Sequence, residues 1–106
     1  MSRFRKLEPT RNIAIDVDGT LLINGTMCEP VVEFCRRCKA EGRYSLTLWS
    51  ARGKEYSQMI ADHFGITDLF DDIVSKPGYI VDDQGWDWIR HTVVITSLDE
   101  IEEADG

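Results

Sequence analysis

The spacing of apolar and polar residues along the chain predicts strands that alternate with helices. A short apolar run at residues 13–15 is typical of a buried parallel strand. Four more segments have the pattern of short strands, namely residues 44–49, 72–75, 79–82 and 92–96. The sequence therefore predicts five strands.

Two helices are predicted between these strands. The first begins at Glu29, with Pro30 at an early helical position, and ends at Gly42. Its apolar stripe consists of Val31, Phe34, Cys35 and Cys38. The second helix covers residues 54–64 and ends at Gly65. Its predicted apolar face consists of Tyr56, Met59, Ile60 and Phe64.

A tight hairpin is predicted at residues 21–27, because Asn24-Gly25 is a strong turn signal. The alternation of strands and helices predicts an α/β fold with a mainly parallel sheet and right-handed crossovers.

The chain has 106 residues, of which 42% are hydrophobic. That length predicts a single domain, residues 1–106, with no room for a second substrate-binding domain.

The charge and hydropathy of the sequence bear on whether the protein binds nucleic acid or a membrane. The net charge of −7 argues against a nucleic-acid partner without excluding one, because phosphate contacts need a basic surface. The basic residues of the N-terminal arm, residues 1–11, and the acidic residues of the tail, residues 97–106, are interpreted as solvated. The sequence contains no apolar run of about 18 residues, so no membrane span is predicted. The N-terminus has no secretory pattern, so we expect a cytoplasmic protein.

The three cysteines do not predict a disulfide framework, because their number is odd. Cys35 and Cys38 lie one turn apart on the first predicted helix. A zinc site would need further ligands, and only His63 and His91 are left to supply imidazole. We therefore interpret the pair as buried helix thiols.

Polar residues follow each of the first four predicted strands. The carboxyl ends of parallel strands meet at one edge of the sheet, where α/β proteins bind ligands. The residues at these ends are Asp16 and Asp18, then Ser50, then Lys76, then Asp82 with Asp83. Four carboxylates suit a hard cation such as Mg²⁺. A hydroxyl and an ammonium group suit the oxygens of a phosphoryl group.

The first pair of carboxylates lies in the segment Asp16-Val17-Asp18-Gly19-Thr20. Side chains alternate along a strand, so the two carboxylates converge only where the backbone turns sharply after Asp16. Gly19 permits such a turn. Two unpaired carboxylates crowded at this position would repel each other, and this repulsion implies a bound cation.

This ordered set resembles the four motifs of the haloacid dehalogenase superfamily over residues 12–83. The resemblance implies a Rossmann-like three-layer sandwich that acts on phosphate esters through an aspartyl-phosphate. It implies Asp16 as the nucleophile and Asp18 as the general acid and base. It also implies the groups that hold Mg²⁺: Asp16, the backbone carbonyl of Asp18, and Asp82, with Asp83 nearby or acting through water. Ser50 and Lys76 would bind the non-reacting phosphate oxygens, whereas Arg52 is either a further phosphate ligand or a surface charge.

The lengths between the motifs leave no room for the cap domain that many members of the superfamily carry. A capless site implies a large substrate, or a cover supplied by the hairpin or by a second subunit of a homo-oligomer. Two alternatives stay open from the sequence. One is a catalytically idle metal-binding homologue that serves as an interaction module. The other is a receiver-like phosphoacceptor, although a receiver carries an aspartate at its third strand, where this chain has Ser75 and Lys76.

Overall fold

The structure, a computed structural model, describes residues 9–97. Its contacts divide the chain into two compact units. One comprises residues 11–78, and the described part of the other comprises residues 9–10 and 79–97. Most of the basic arm, residues 1–8, and of the acidic tail, residues 98–106, lies outside the described residues. The single-domain assignment stays a prediction.

The larger unit is a small α/β domain. In chain order its strands and α-helices are β1 (Asn12–Asp16), β2 (Leu22–Ile23), β3 (Thr26–Met27), α1 (Glu29–Glu41), β4 (Ser45–Ser50), α2 (Lys54–His63) and β5 (Asp72–Ser75). A short 3-10 helix, Thr67–Leu69, precedes β5. Strands β1, β4 and β5, both α-helices and the hairpin confirm the predicted order of elements up to residue 75.

Three parallel strands form the sheet, in the order β1-β4-β5. Asp16 lies opposite Trp49, and Ser50 lies opposite Ser75. The carboxyl ends of the three strands are therefore level with one another. This register brings the polar residues that follow β1, β4 and β5 to one edge of the sheet.

Burial is concentrated on one face of the sheet. Along β4, Leu46 and Leu48 are almost completely buried, whereas Thr47 and Trp49 on the opposite face are only partly buried. Both α-helices contact β4. The two crossovers step in the same direction along the sheet, and the right-handed connection that parallel strands favour places both helices on the same face. Residues 11–78 thus form two layers. The third layer of the predicted three-layer sandwich is not present in this unit.

Helix α1 follows its sequence signals closely. Pro30 occupies its first turn, and Gly42 ends it with a left-handed backbone, φ 72°. The Gly42 N–H donates to the carbonyl of Cys38 at 2.9 Å. Cys35 and Cys38 are buried on the helix, as predicted, and burial raises the pKa of Cys35 to about 12, with the neighbouring Cys38 adding to the shift.

Helix α2 buries Ile60 as predicted, but the rest of its buried face differs from the prediction. Its buried residues are Ser57, Ile60 and Ala61, whereas Met59 is 56% exposed, so its assignment to the core was wrong. The small side chains of Ser57 and Ala61 are completely buried on this face. Of the helices in residues 9–97, none combines the length and the apolar character needed to cross a membrane.

The hairpin of β2 and β3 forms where Asn24-Gly25 predicts it. Both turn residues have positive φ, 52° and 78°, which is the geometry of a type I′ turn. Between the turn that follows β1 and the start of α1, the chain forms only this hairpin. Between β4 and β5 the chain forms only α2 and the short 3-10 helix.

The predicted strands at residues 79–82 and 92–96 are wrong. Residues 79–82 have no regular structure, a 3-10 helix spans Gly85–His91, and residues 92–96 are also irregular. Val81 is fully exposed, and Val93 and Val94 are each 65% exposed. β-Branched residues favour strands through packing against neighbours, and these residues lack that burial.

Candidate functional site

Asp16 ends β1 in contact with a lysine from the end of β5. Its Oδ1 lies 3.0 Å from Nζ of Lys76, and both side chains are about one-third exposed, 32% and 36%. The hydroxyl of Thr20 points to the other oxygen, Oδ2, at 3.4 Å. The parallel register explains the first contact, because it aligns the ends of β1, β4 and β5.

The backbone turns sharply after Asp16, as the sequence predicts. The N–H of Leu21 donates to the carbonyl of Asp16, and the N–H of Leu22 donates to that of Val17. Val17 and Leu21 are fully buried and anchor the turn, while Gly19 adopts φ 85°. A side chain at position 19 would find open space around it but would strain the backbone.

Asp18 lies against the first turn of α2. Its Oδ1 accepts a hydrogen bond of 2.7 Å from the Tyr56 hydroxyl. Its Oδ2 is 3.6 Å from a guanidinium nitrogen of Arg52, whose Cζ lies 3.9 Å from the centre of the Tyr56 ring. The hydrogen bond to Asp18 raises the pKa of Tyr56, with smaller contributions from desolvation and from the charge of Asp18. Carboxylate, phenol and guanidinium therefore form one cluster.

Ser50 ties the end of β4 to both flanking loops. The side chain is buried, and its Oγ accepts the backbone N–H of Arg52 at 3.0 Å. Its carbonyl accepts the N–H of Lys76, also at 3.0 Å, which holds the start of the Lys76 loop beside β4. The Lys76 ammonium also lies 5.9 Å from the Trp49 ring.

The charges at this edge are paired by the protein itself. Lys76 lies beside Asp16 and Arg52 beside Asp18, so the expectation of two unpaired carboxylates was wrong. Repulsion alone therefore does not require a metal ion. Carboxylate oxygens nevertheless suit Mg²⁺, which uses one or two carboxylates and keeps several waters. Each carboxylate has about four acceptor sites, more than these contacts use.

Asp82 and Asp83 belong to the other unit. The carboxylate of Asp82 accepts the N–H of Gln84 at 2.8 Å, and its carbonyl accepts the N–H of Gly85 at 3.1 Å. Asp82 thus stabilises the turn that precedes the 3-10 helix. Within residues 9–97, no three His, Cys, Asp or Glu side chains form a group that could hold a metal ion. The assignment of these two residues as ligands stays a prediction.

Five of the seven predicted site residues share one edge of the sheet, and they are Asp16, Asp18, Ser50, Arg52 and Lys76. Sequence reasoning assigned Tyr56 to the packing face of α2 and missed its contact with Asp18. The available signal was its place in the first turn of a helix that begins at this edge.

Comparisons with models of protein families, with curated proteins and with solved structures gave no match.

Proposed function

We propose that the protein is a Mg²⁺-dependent phosphatase with a capless core like that of the haloacid dehalogenase superfamily. It would hydrolyse phosphate monoesters through an aspartyl-phosphate formed on Asp16. The observation that carries the proposal is the pairing of Asp16 with Lys76 at the end of a parallel strand, with Asp18 two residues on. A nucleophilic carboxylate and an ammonium group for phosphoryl oxygens are both needed for this reaction.

The first step transfers the phosphoryl group to the protein. A carboxylate oxygen of Asp16 attacks phosphorus while the bond to the leaving oxygen breaks, and Asp18 gives its proton to that oxygen. Lys76 binds the non-reacting phosphoryl oxygens, and Ser50 does so through its hydroxyl proton. These groups stabilise the charge that develops in the transition state.

The second step regenerates the protein. Asp18, now ionised, takes a proton from a water molecule whose oxygen attacks phosphorus. The bond between phosphorus and Asp16 breaks, inorganic phosphate leaves with its fourth oxygen from water, and Asp18 is protonated again. One side chain thus serves both half-reactions because it alternates between its two protonation states.

The oxygen donors of Asp16 and Asp18 fit Mg²⁺. When bound, Mg²⁺ would screen the anionic substrate from the carboxylates and help to orient the phosphoryl group. The protein contributes cations of its own to the same task, since Lys76 already lies beside Asp16.

The segments that connect the strands around the site are short, which favours a substrate that residues 11–78 do not enclose. Only the hairpin and α2 flank the edge in residues 11–78, and the side chains of Asp18 and Arg52 are 47% and 64% exposed. A large phosphorylated molecule, or a second copy of the chain, would exclude water where a cap is lacking. The phosphorylated group could belong to a small molecule or to a macromolecule.

The order of residues along the sheet favours a phosphatase over a receiver-like phosphoacceptor. A receiver presents its phosphorylated aspartate at the end of the third strand, whereas β5 ends in Ser75 and is followed by Lys76. An idle interaction module would keep the same fold and lack turnover. Activity is therefore the observation that separates the two remaining functions.

The purified protein is expected to release phosphate from p-nitrophenyl phosphate when Mg²⁺ is present. Removal of the metal with a chelator should abolish release, and added Mg²⁺ should restore it. The Asp16→Asn variant, purified identically, controls for a contaminating phosphatase. Failure to hydrolyse this ester and a panel of phosphorylated metabolites and oligonucleotide ends would favour the interaction module.

A further inference from the structure

We propose that Tyr56 is a positioning residue for Asp18, holding that carboxylate in the orientation from which it exchanges a proton with the leaving group. This inference rests on the proposed function and concerns one step of it. The Tyr56 hydroxyl donates to Oδ1 of Asp18 at 2.7 Å, and α2 brings the phenol to this place from its first turn. Helical side chains lean toward the N-terminus of their helix, which here begins at the active edge of the sheet.

The hydrogen bond is the stronger of the two restraints on Asp18. A hydroxyl that donates to a carboxylate over 2.7 Å forms a charge-assisted bond, about twice as strong as a neutral one. The contact with Arg52 is longer, 3.6 Å, and joins two side chains that are roughly half exposed or more. Exposed ion pairs of this kind stabilise little. Of the two contacts, the hydrogen bond from Tyr56 is therefore the closer restraint on Asp18.

The contact leaves one oxygen of Asp18 for chemistry. Tyr56 donates to Oδ1 at 2.7 Å, whereas Arg52 lies 3.6 Å from Oδ2, beyond hydrogen-bond distance, so Oδ2 is the oxygen that gives the proton to the leaving group and later takes one from water. A carboxylic acid protonated on Oδ2 still accepts at Oδ1, so the same hydrogen bond serves both half-reactions. The Tyr56 hydroxyl keeps its own proton throughout, and no additional reactant is needed.

Arg52 holds the phenol in turn. Its guanidinium carbon lies 3.9 Å from the centre of the Tyr56 ring, a stacking distance that restricts rotation of the ring. Its backbone N–H is bonded to Ser50 Oγ, so the loop that carries Arg52 is fixed to the end of β4. Ser50, Arg52, Tyr56 and Asp18 thus form a chain of contacts from the sheet to the acid.

Tyr56→Phe removes only the hydroxyl and tests this role by its dependence on the leaving group. An alkyl phosphate needs its leaving oxygen protonated, whereas p-nitrophenolate leaves without much help. We expect kcat for an alkyl phosphate to fall on the order of tenfold, because general acid catalysis supplies about 10²–10⁴-fold and a misplaced acid loses part of it. The fall for p-nitrophenyl phosphate should be clearly smaller, and KM should change little for either ester.

Tyr44→Phe is the matched control, because Tyr44 precedes β4 at the opposite end of the sheet and stacks against Arg11 and Arg43. It should affect both esters alike and only slightly. Equal losses for the two esters in Tyr56→Phe, or no loss in either, would overturn the positioning role. A loss concentrated on the alkyl ester supports it, because a general weakening of the fold would not discriminate between leaving groups.

A second measurement separates failure of this inference from failure of the proposed function. NMR of isotope-labelled tyrosine, with the Tyr56 signal assigned from Tyr56→Phe, reports on this ring without any substrate. The ring signals of Tyr56 should shift in Asp18→Ala, because the hydrogen bond from its hydroxyl is lost. Unchanged signals would overturn the contact even if the protein is a phosphatase. A shift with no turnover would instead reject the function.

Discussion

Asp16→Asn is expected to reduce phosphate release by about 10³-fold or more, the scale of loss when a catalytic nucleophile is removed. The amide has nearly the same shape as the carboxylate but is a far poorer nucleophile at phosphorus. It also loses the ion pair with Lys76, whose members are 3.0 Å apart. Steady-state hydrolysis of p-nitrophenyl phosphate with Mg²⁺ measures the effect.

Asp72→Asn provides the matched control for this variant. Asp72 lies at the first position of β5, at the far end of the same sheet, and is exposed. The same chemical change there should leave kcat close to the wild-type value. Urea unfolding should show that both variants keep the fold, because the ion pair of Asp16 is partly exposed and contributes little to stability. Wild-type activity in Asp16→Asn would remove the nucleophile from the mechanism.

Leu48→Ala is expected to have the largest effect on stability, lowering the free energy of unfolding by about 2–5 kcal/mol. Leu48 is fully buried at the centre of the middle strand, between the sheet and the helix layer. The substitution removes apolar surface from the core and leaves a cavity that a sheet cannot readily close. Small domains have only about 5–15 kcal/mol in total, so the midpoint of urea unfolding should fall markedly.

Thr47→Ala tests whether that effect depends on the buried face. Thr47 precedes Leu48 on the same strand but lies on the opposite, partly buried face, where its Oγ1 accepts a hydrogen bond of 3.0 Å from Asn12. Loss of this exposed contact should change the free energy of unfolding by about 1 kcal/mol or less. Equal losses in the two variants would contradict the one-sided burial of the sheet.

The fold of residues 11–78 was largely predictable because its signals are local. Pro30 and Gly42 mark the ends of α1, and Asn24-Gly25 fixes the hairpin turn. The strands that failed lacked this support. The β-branched residues at positions 79–82 and 92–96 favour a strand only where another strand pairs with them. Sequence periodicity does not reveal whether such a neighbour exists.

The face of α2 shows a second limit of sequence patterns. Met59 is large and apolar, which predicts burial, yet Ser57 and Ala61 occupy the contact with the sheet. These two residues are four positions apart and share a helix face. How closely a helix approaches a sheet depends on tertiary packing, and a rule that favours large apolar residues misses a contact built from small ones.

In the candidate site, the location of the residues was predictable from the sequence, whereas their side-chain contacts were not. Asp16, Ser50 and Lys76 follow from the rule that parallel strands end at one edge, and the register of β1, β4 and β5 confirms their common location. The pairing of the carboxylates with Lys76 and Arg52 was not predicted, because sequence spacing says nothing about side-chain direction. Tyr56 was missed for the same reason, since its tip rather than its ring carries the contact with Asp18.

The central claim is that Asp16 forms a covalent aspartyl-phosphate during turnover. Protein that is turning over p-nitrophenyl phosphate with Mg²⁺ can be quenched in acid and reduced with borohydride, which converts an acyl phosphate into an alcohol. Peptide mass spectrometry should then find homoserine at position 16, and only when both substrate and Mg²⁺ were present. Turnover without a modified residue, or modification at another carboxylate, would contradict the account.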